Sequence, residues 1–236
     1  SHPMPRERIA NLKEVAEKSP HFGKRDSADL QRRHDMMRAK IAAYTQGQGS
    51  VQRLFRNNPQ SIGMAYGDAI MTHLHGSPAA ALKKVDALIK QQPGNAYLYE
   101  LRGDVLIKAG RAADAVKAYE TAVARDKSRS GILKVGLGQA ILATGTKEAP
   151  ARAAKEIEAG LRVDKEYITG YRSLAQAYGQ LGDVGQAELA TAEGHYHAGQ
   201  YREAKIFAAR SQQKLRKGSP AWVRAQDIIN FVIPRR

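Results

Sequence analysis

The sequence predicts an all-α solenoid of stacked helical hairpins, with non-repetitive helices before it and a capping helix after it. Three observations carry that prediction. Gly76, Gly110, Gly145, Gly182 and Gly199 each stand just before a small residue that opens an apolar stretch: Ala81, Ala115, Ala153, Ala187 and Ala204. Gly76 to Gly110 is 34 residues, as is Ala81 to Ala115, and a fixed period of this length marks a chain built from repeated supersecondary units. Composition favours helix throughout: 42% of residues are hydrophobic, alanine dominates that set and only 6% are aromatic. No stretch alternates over the length of a strand, so almost no sheet is expected.

Residues 1–60 read as helical but not repetitive. Pro5 suits the first turn of a helix, whose apolar positions are Ile9, Leu12, Val15 and Ala16 and which stops at Ser19-Pro20. Asp26 or Ser27 caps a longer helix with an expected buried face of Leu30, Met37, Ile41 and Tyr44. Gly47-Gln48-Gly49-Ser50 is a break. Val51, Leu54 and Phe55 mark a short helix ended by Asn57-Asn58-Pro59.

Residues 61–236 read as an array of about four to five repeats. The first unit is expected at 61–94 with its turn at Gly76-Ser77-Pro78, and the second at 95–128 with its turn at Gly110-Arg111. The third, at 129–165, is lengthened at Glu148-Ala149-Pro150. The fourth, at 166–198, turns at Gly182-Asp183. Gly199 follows Gly182 by only 17 residues, so the helix holding Ala187 to Tyr196 should serve as second helix of one unit and first helix of the next. Lys217-Gly218 should end the last repeat helix. Ser219-Pro220 then opens a capping helix with Trp222, Ala225 and Ile229 as its apolar stripe.

Two antiparallel helices pack closely when small residues lie at the crossing. Ala69, Gly103, Gly138 and Ala175 occupy that place in the first helices. A helix-interior glycine costs up to about 1 kcal/mol against alanine, so Gly103 and Gly138 imply a close approach by another helix. The turn glycines suit the left-handed conformation that ends a helix. Tyr171, Leu174, Ala175 and Tyr178 reproduce the aromatic–Leu–small–Tyr spacing of the tetratricopeptide repeat (TPR). Tyr99, Gly103, Ala115 and Tyr119 keep most of it, with Arg102 where leucine is usual.

No self-contained catalytic site is legible. The absence of cysteine removes disulfides, thiolate zinc sites and cysteine nucleophiles. His73 and His75 are two apart, as are His195 and His197, which sets the rings about 200° apart on a helix. There is no HExxH, nucleophile elbow, phosphate loop or dinucleotide fingerprint. Gly136-Leu137-Gly138 reads as close helix packing. The net charge of +15 is spread evenly rather than striped with aromatics, which argues for a basic solvated surface and against a nucleic-acid interface. No apolar run approaches the ~20 residues that span a bilayer.

The expected working surface is the concave face lined by first helices. Its candidate partner-binding residues are Tyr66 and His73 in the first unit, Tyr97, Glu100, Asp104 and Lys108 in the second, and Arg172, Gln176 and Gln180 in the fourth. They would hold a peptide or loop of another protein. Glu100 stands where a clamp for a C-terminal carboxylate would want lysine, so that mode is not expected.

The segment His2-Pro3-Met4-Pro5-Arg6-Glu7-Arg8-Ile9, the stretches Ala65 to Gln92, Tyr99 to Gly110 and Leu174 to Gly182, and the ending Gly218-Ser219-Pro220-Ala221-Trp222 resemble the C-terminal part of BepA-like periplasmic zinc metallopeptidases. In that family an HExxH domain precedes a TPR array, and Ser1-His2-Pro3 reads as the interior of such a longer chain. The resemblance implies a parent zinc endopeptidase of the cell envelope, periplasmic, acting in outer-membrane protein assembly and in degradation of misassembled chains. It implies partners that are misfolded envelope proteins, the outer-membrane assembly machinery and the parent's own protease domain. Zinc is expected in that domain and no cofactor in this chain. The alternative is a free-standing TPR adaptor without a protease parent.

Overall fold

A computed structural model describes residues 5–47 and 49–232. His2-Pro3-Met4 of the joining motif and Gln48 of the predicted break lie outside the described residues. Thirteen α-helices and no strand occur among the described residues. They are α1 (Pro5–Glu17), α2 (Ala28–Thr45), α3 (Ser50–Leu54), α4 (Ile62–His75), α5 (Pro78–Gln91), α6 (Ala96–Lys108), α7 (Ala112–Arg125), α8 (Gly131–Ala143), α9 (Ala149–Leu161), α10 (Ile168–Gln180), α11 (Val184–His197), α12 (Tyr201–Gln212) and α13 (Pro220–Asn230). The chain packs as two compact units, Ser1–Asp68 and Ala69–Arg236, with the division falling inside α4.

Within the first unit, α2 buries mainly small residues. Ser27 caps α2 by accepting from Leu30 N, and Met36, Ala39, Ala42 and Ala43 form the buried face of that helix. The expected face is therefore corrected. Leu30, Met37, Ile41 and Tyr44 are about half exposed, and Ile9, Leu12 and Val15 of α1 about two-thirds. The side facing α3 is occupied by alanines, and Ser50 Oγ donates to Ala42 O at 2.9 Å. Larger side chains there would hold α3 away. Gly67 serves the same fit, since a Cβ on it would lie 2.4 Å from Val51.

The second unit is a TPR-type solenoid. Successive helices pack from α5 through α13. Three turns close in the same way: Arg111, Asp183 and Gln200 donate their N–H to the carbonyls of Leu106, Tyr178 and His195, five residues back. This is the six-to-one bond of a Schellman ending, and Gly110, Gly182 and Gly199 supply its left-handed residue. Gly76 departs from the expectation, because its φ is not positive. It is small for another reason, as a Cβ would sit 2.9 Å from Thr72 O. Ala149 and Pro150 belong to the first turn of α9 rather than to the connection before it.

Beyond neighbours in sequence, α6 packs on α8 and α8 on α10, but α11 packs on α13. The row of helices brought together thus changes at α11. That helix pairs both with α10 and with α12, the double role predicted by the 17-residue spacing. The last repeat helix ends at Gln212, five residues before the expected Lys217. Gly218 sits left-handed in the turn that follows, and Ser219 caps α13 through Trp222 N. The buried face of α13 is Ala221, Ala225 and Ile228; of the expected stripe Ala225 is buried, Ile229 packs part-buried against the same core, and Trp222 is part-buried. Phe231 closes this end against Tyr196 and Tyr201.

Candidate functional site

Helices α4, α6, α7 and α8 enclose a cleft of about 370 Å³ in the second unit. Tyr119 forms part of it although it belongs to α7, a second helix. Cβ atoms on Gly103 of α6 and Gly136 of α8 would lie 2.5 and 2.4 Å from its ring. The two glycines therefore form a slot that admits the tyrosine between α6 and α8. At up to about 1 kcal/mol each they offset much of the roughly 3 kcal/mol that burying a large apolar side chain contributes. The close approach expected at Gly103 is thus by this side chain rather than by a helix backbone. At Gly138 a Cβ would meet Ile157 Cγ1 at 2.4 Å and the Ala153 carbonyl oxygen at 3.1 Å, so the backbone of α9 does pass close there.

The Tyr119 hydroxyl emerges into the cleft and donates to Asp104 Oδ1. Burial first, and the Asp104 carboxylate second, push the Tyr119 phenol far above its usual range, so it stays a donor. Lys108 Nζ donates to the carbonyls of His73 and, at 3.1 Å, Leu74. A cation at the C-terminal carbonyls of α4 is favoured by the helix dipole and ties α6 to α4 at the cleft edge. His73 lines the cleft with its Nδ1 buried and unpartnered. Burial, then the Lys108 charge, hold His73 below the ordinary histidine pKa, which favours the neutral ring. Gln139 of α8 donates to Ser173 Oγ of α10 at 2.9 Å, and Ile107 and Ala140 supply apolar wall.

Of the predicted partner-binding residues, His73, Asp104 and Lys108 come together here. Tyr97 is exposed and Glu100 half-buried on α6, outside the cleft lining. Arg172, Gln176 and Gln180 are exposed on α10 and are not part of the cleft. Tyr66 is only 2% exposed and is a core residue rather than a groove residue. Its aromatic ring fills the interior, where the groove reading wanted a presented side chain. Sequence reasoning missed Tyr119, Ile107 and Gln139. The signal for Tyr119 was available in the two glycines, 16 residues before it and 17 after it.

Arg102, the residue that breaks the repeat pattern, pairs with Asp86 of α5 at 2.8 Å. It is a half-exposed pair worth at most about 1 kcal/mol. A second polar cluster lies toward the C-terminal end. Tyr178 donates to Glu158, and Arg224 pairs with Glu193 at 2.9 Å across α13 and α11. Among the described residues no group of three or more histidines and carboxylates could hold a metal ion, and no helix is long and apolar enough to cross a membrane.

The fold and cleft define a tetratricopeptide-type solenoid, the architecture of a protein–protein interaction module. A family model described as tetratricopeptide repeat matches residues 75–130 and 100–149. The chain is 24% identical over 226 residues to the β-barrel assembly-enhancing protease of Escherichia coli strain K12. That alignment takes in 93% of this chain and 45% of that protein, so the chain spans about half the length of the curated relative it matches. Among solved structures it is similar to TTC0263, described as a thermophilic TPR protein of Thermus thermophilus. The TM-score is 0.54 at 15% identity, covering 85% of this chain and all of that one. It is also similar to MamA, with a TM-score of 0.51 at 17% identity, covering 68% of this chain and 90% of that one.

Proposed function

We propose that this chain is the docking module of an envelope zinc metallopeptidase, and that it holds segments of misassembled proteins or of the outer-membrane assembly machinery. The observation that carries the docking part is the cleft between α4, α6 and α8, where polar side chains stand on a rigid helical scaffold. Support for the protease parent comes from the similarity to the β-barrel assembly-enhancing protease, which runs over 93% of the chain. On this reading the peptidase chemistry and its zinc reside in a separate domain, this chain carries no cofactor, and the location is the periplasm. The parent's own protease domain is then one of its contacts.

Two measurements test this together. The reading frame upstream of Ser1 should encode an HExxH motif. A start codon at that position would instead support the free-standing adaptor. The purified chain with added zinc should leave a denatured protein substrate intact, and zinc-dependent cleavage by the chain alone would overturn the assignment.

A further inference from the structure

The last repeat helix has an outer face that its neighbours do not cover. α12 packs on α11 and α13, and its inner side is Ala204, Ala208 and Ser211, all fully buried. At about 100° per residue the opposite side carries Arg202, Lys205, Ile206, Ala209 and Arg210. Ile206 stands at its centre, 54% exposed, and Ala209 beside it is exposed as well. The turn that follows adds Lys214, Arg216 and Lys217, all exposed. Residues 202–217 thus hold six cations and one anion, Glu203, a net +5 in a chain of +15. Counted over long stretches the charge is even, and the excess emerges only in this short window. Lys214 pairs with Glu188 at 2.6 Å and Arg210 lies over the Phe207 ring. Arg202, Lys205, Arg216 and Lys217 make no ion pair among the described residues.

Three kinds of anionic partner could meet such a face, and its composition separates them. A protein interface has a charge-poor, aromatic-rich centre and is depleted in lysine, whereas this face has one aliphatic side chain ringed by cations. Single-stranded nucleic acid is held by basic residues with rings presented between them. The rings of α12 are turned inward instead: Tyr201 packs on Phe231 and Phe207 stacks on His195. A bilayer surface asks for neither feature. Clustered lysine and arginine are attracted to it without matched partners, and an apolar side chain enters the headgroup boundary. We propose that the outer face of α12 and the turn after it rest on an anionic phospholipid surface, with Ile206 in the headgroup layer and Arg202, Lys205, Arg216 and Lys217 over lipid phosphates. The inference is independent of the docking reading, whose cleft is built from α4, α6, α7 and α8.

The test uses the whole chain in flotation with phosphatidylcholine vesicles, with and without phosphatidylglycerol. Binding should require phosphatidylglycerol and weaken as salt rises. Each cation over the surface contributes about fivefold, so the triple variant Arg202→Gln, Arg216→Gln, Lys217→Gln should bind about a hundredfold more weakly. The triple variant Lys83→Gln, Lys117→Gln, Lys155→Gln removes the same charge from exposed positions on α5, α7 and α9 and should stay within about twofold, since screening confines the attraction to nearby charges. All of these positions are exposed, so both variants should keep the urea midpoint of the unmodified chain. The chain has no cysteine, so Ile206→Cys or Lys155→Cys takes a single environment-sensitive dye. Its emission should shift to the blue on vesicles at position 206 and not at 155. Equal losses in the two triple variants, a blue shift at 155 alone, or binding indifferent to phosphatidylglycerol would each overturn the proposal. Tighter binding to polyglutamate or to single-stranded DNA than to the vesicles would also overturn it, in favour of an acidic protein or a nucleic acid. None of these outcomes bears on the cleft.

Discussion

Helices α2 and α7 use their apolar residues in opposite ways. In α7 the large residues are inside: Tyr119 and Val116 are buried beside Ala115, Ala118 and Ala122. In α2 most of the large residues are outside. Leu30, Met37, Ile41 and Tyr44 are half exposed, while Met36 and three alanines are buried. Apolar spacing therefore identifies a face that can be buried, but small residues identify the face that a neighbouring helix has reached. In the solenoid the two signals coincide. In α2 they diverge, and the larger residues mislead, whereas in the neighbouring short helix Val51 and Phe55 are buried as their spacing implies.

Truncating a large apolar residue on each side should expose this contrast most visibly. Ile157→Ala in the solenoid core, where the side chain is fully buried, should lower unfolding free energy by about 2–5 kcal/mol. Ile41→Ala in α2 should stay within about 0.5 kcal/mol, as for exposed positions elsewhere. Urea denaturation of the two variants measures the contrast, and equal losses would mean that the α2 stripe is buried.

Adding an atom at a close contact should have the next largest effect. A Cβ on Gly131 would lie 2.1 Å from Gly160 O, a backbone atom that cannot rotate away. Gly131→Ala should therefore cost about 3 kcal/mol, the upper part of the overpacking range. Gly94→Ala, with open space around it, should leave the urea midpoint nearly unchanged.

A smaller loss is expected at the N-terminus of α8. Its own Ser130 makes no capping bond there, and Asp164, from the turn after α9, accepts from Ile132 N at 2.9 Å. Asp164→Ala should cost about 1 kcal/mol in the same denaturation experiment, as loss of a cap does.

The smallest effect is pH dependence. His73 and His197 are both held below the ordinary histidine pKa, chiefly by burial. Below about pH 6.5 the unfolded chain binds protons that the folded rings resist, so their contribution is intact above that pH and is lost as pH falls. The double variant His73→Gln, His197→Gln should lose less stability between pH 7 and pH 5 than the unmodified chain. An equal or larger loss would count against buried, neutral rings.

The solenoid is readable from sequence wherever its signals are local. The helix-ending glycines at 110, 182 and 199 and the caps at Ser77, Ser219 and Asp183 each act within a few residues. The dual role of α11 follows from one short spacing. What the sequence hides is long-range. The reach of Tyr119 through the Gly103–Gly136 slot, the capping of α8 by a residue 32 positions on, and the burial of Tyr66 depend on which elements meet. The cleft was accordingly legible in His73, Asp104 and Lys108, which stand on first-helix faces, and in Tyr119 only indirectly, through the two glycines that make room for its ring.

The most direct test of the account is site-specific photocrosslinking in this chain, incubated with an extract of its own host. The photoreactive residue replaces Ile107 in the cleft or Lys155 on the exposed face of α9. The account predicts discrete polypeptide adducts from position 107 and none from position 155. Adducts of equal yield at both positions, or only at 155, would contradict the assignment of the cleft between α4, α6 and α8 as the docking site.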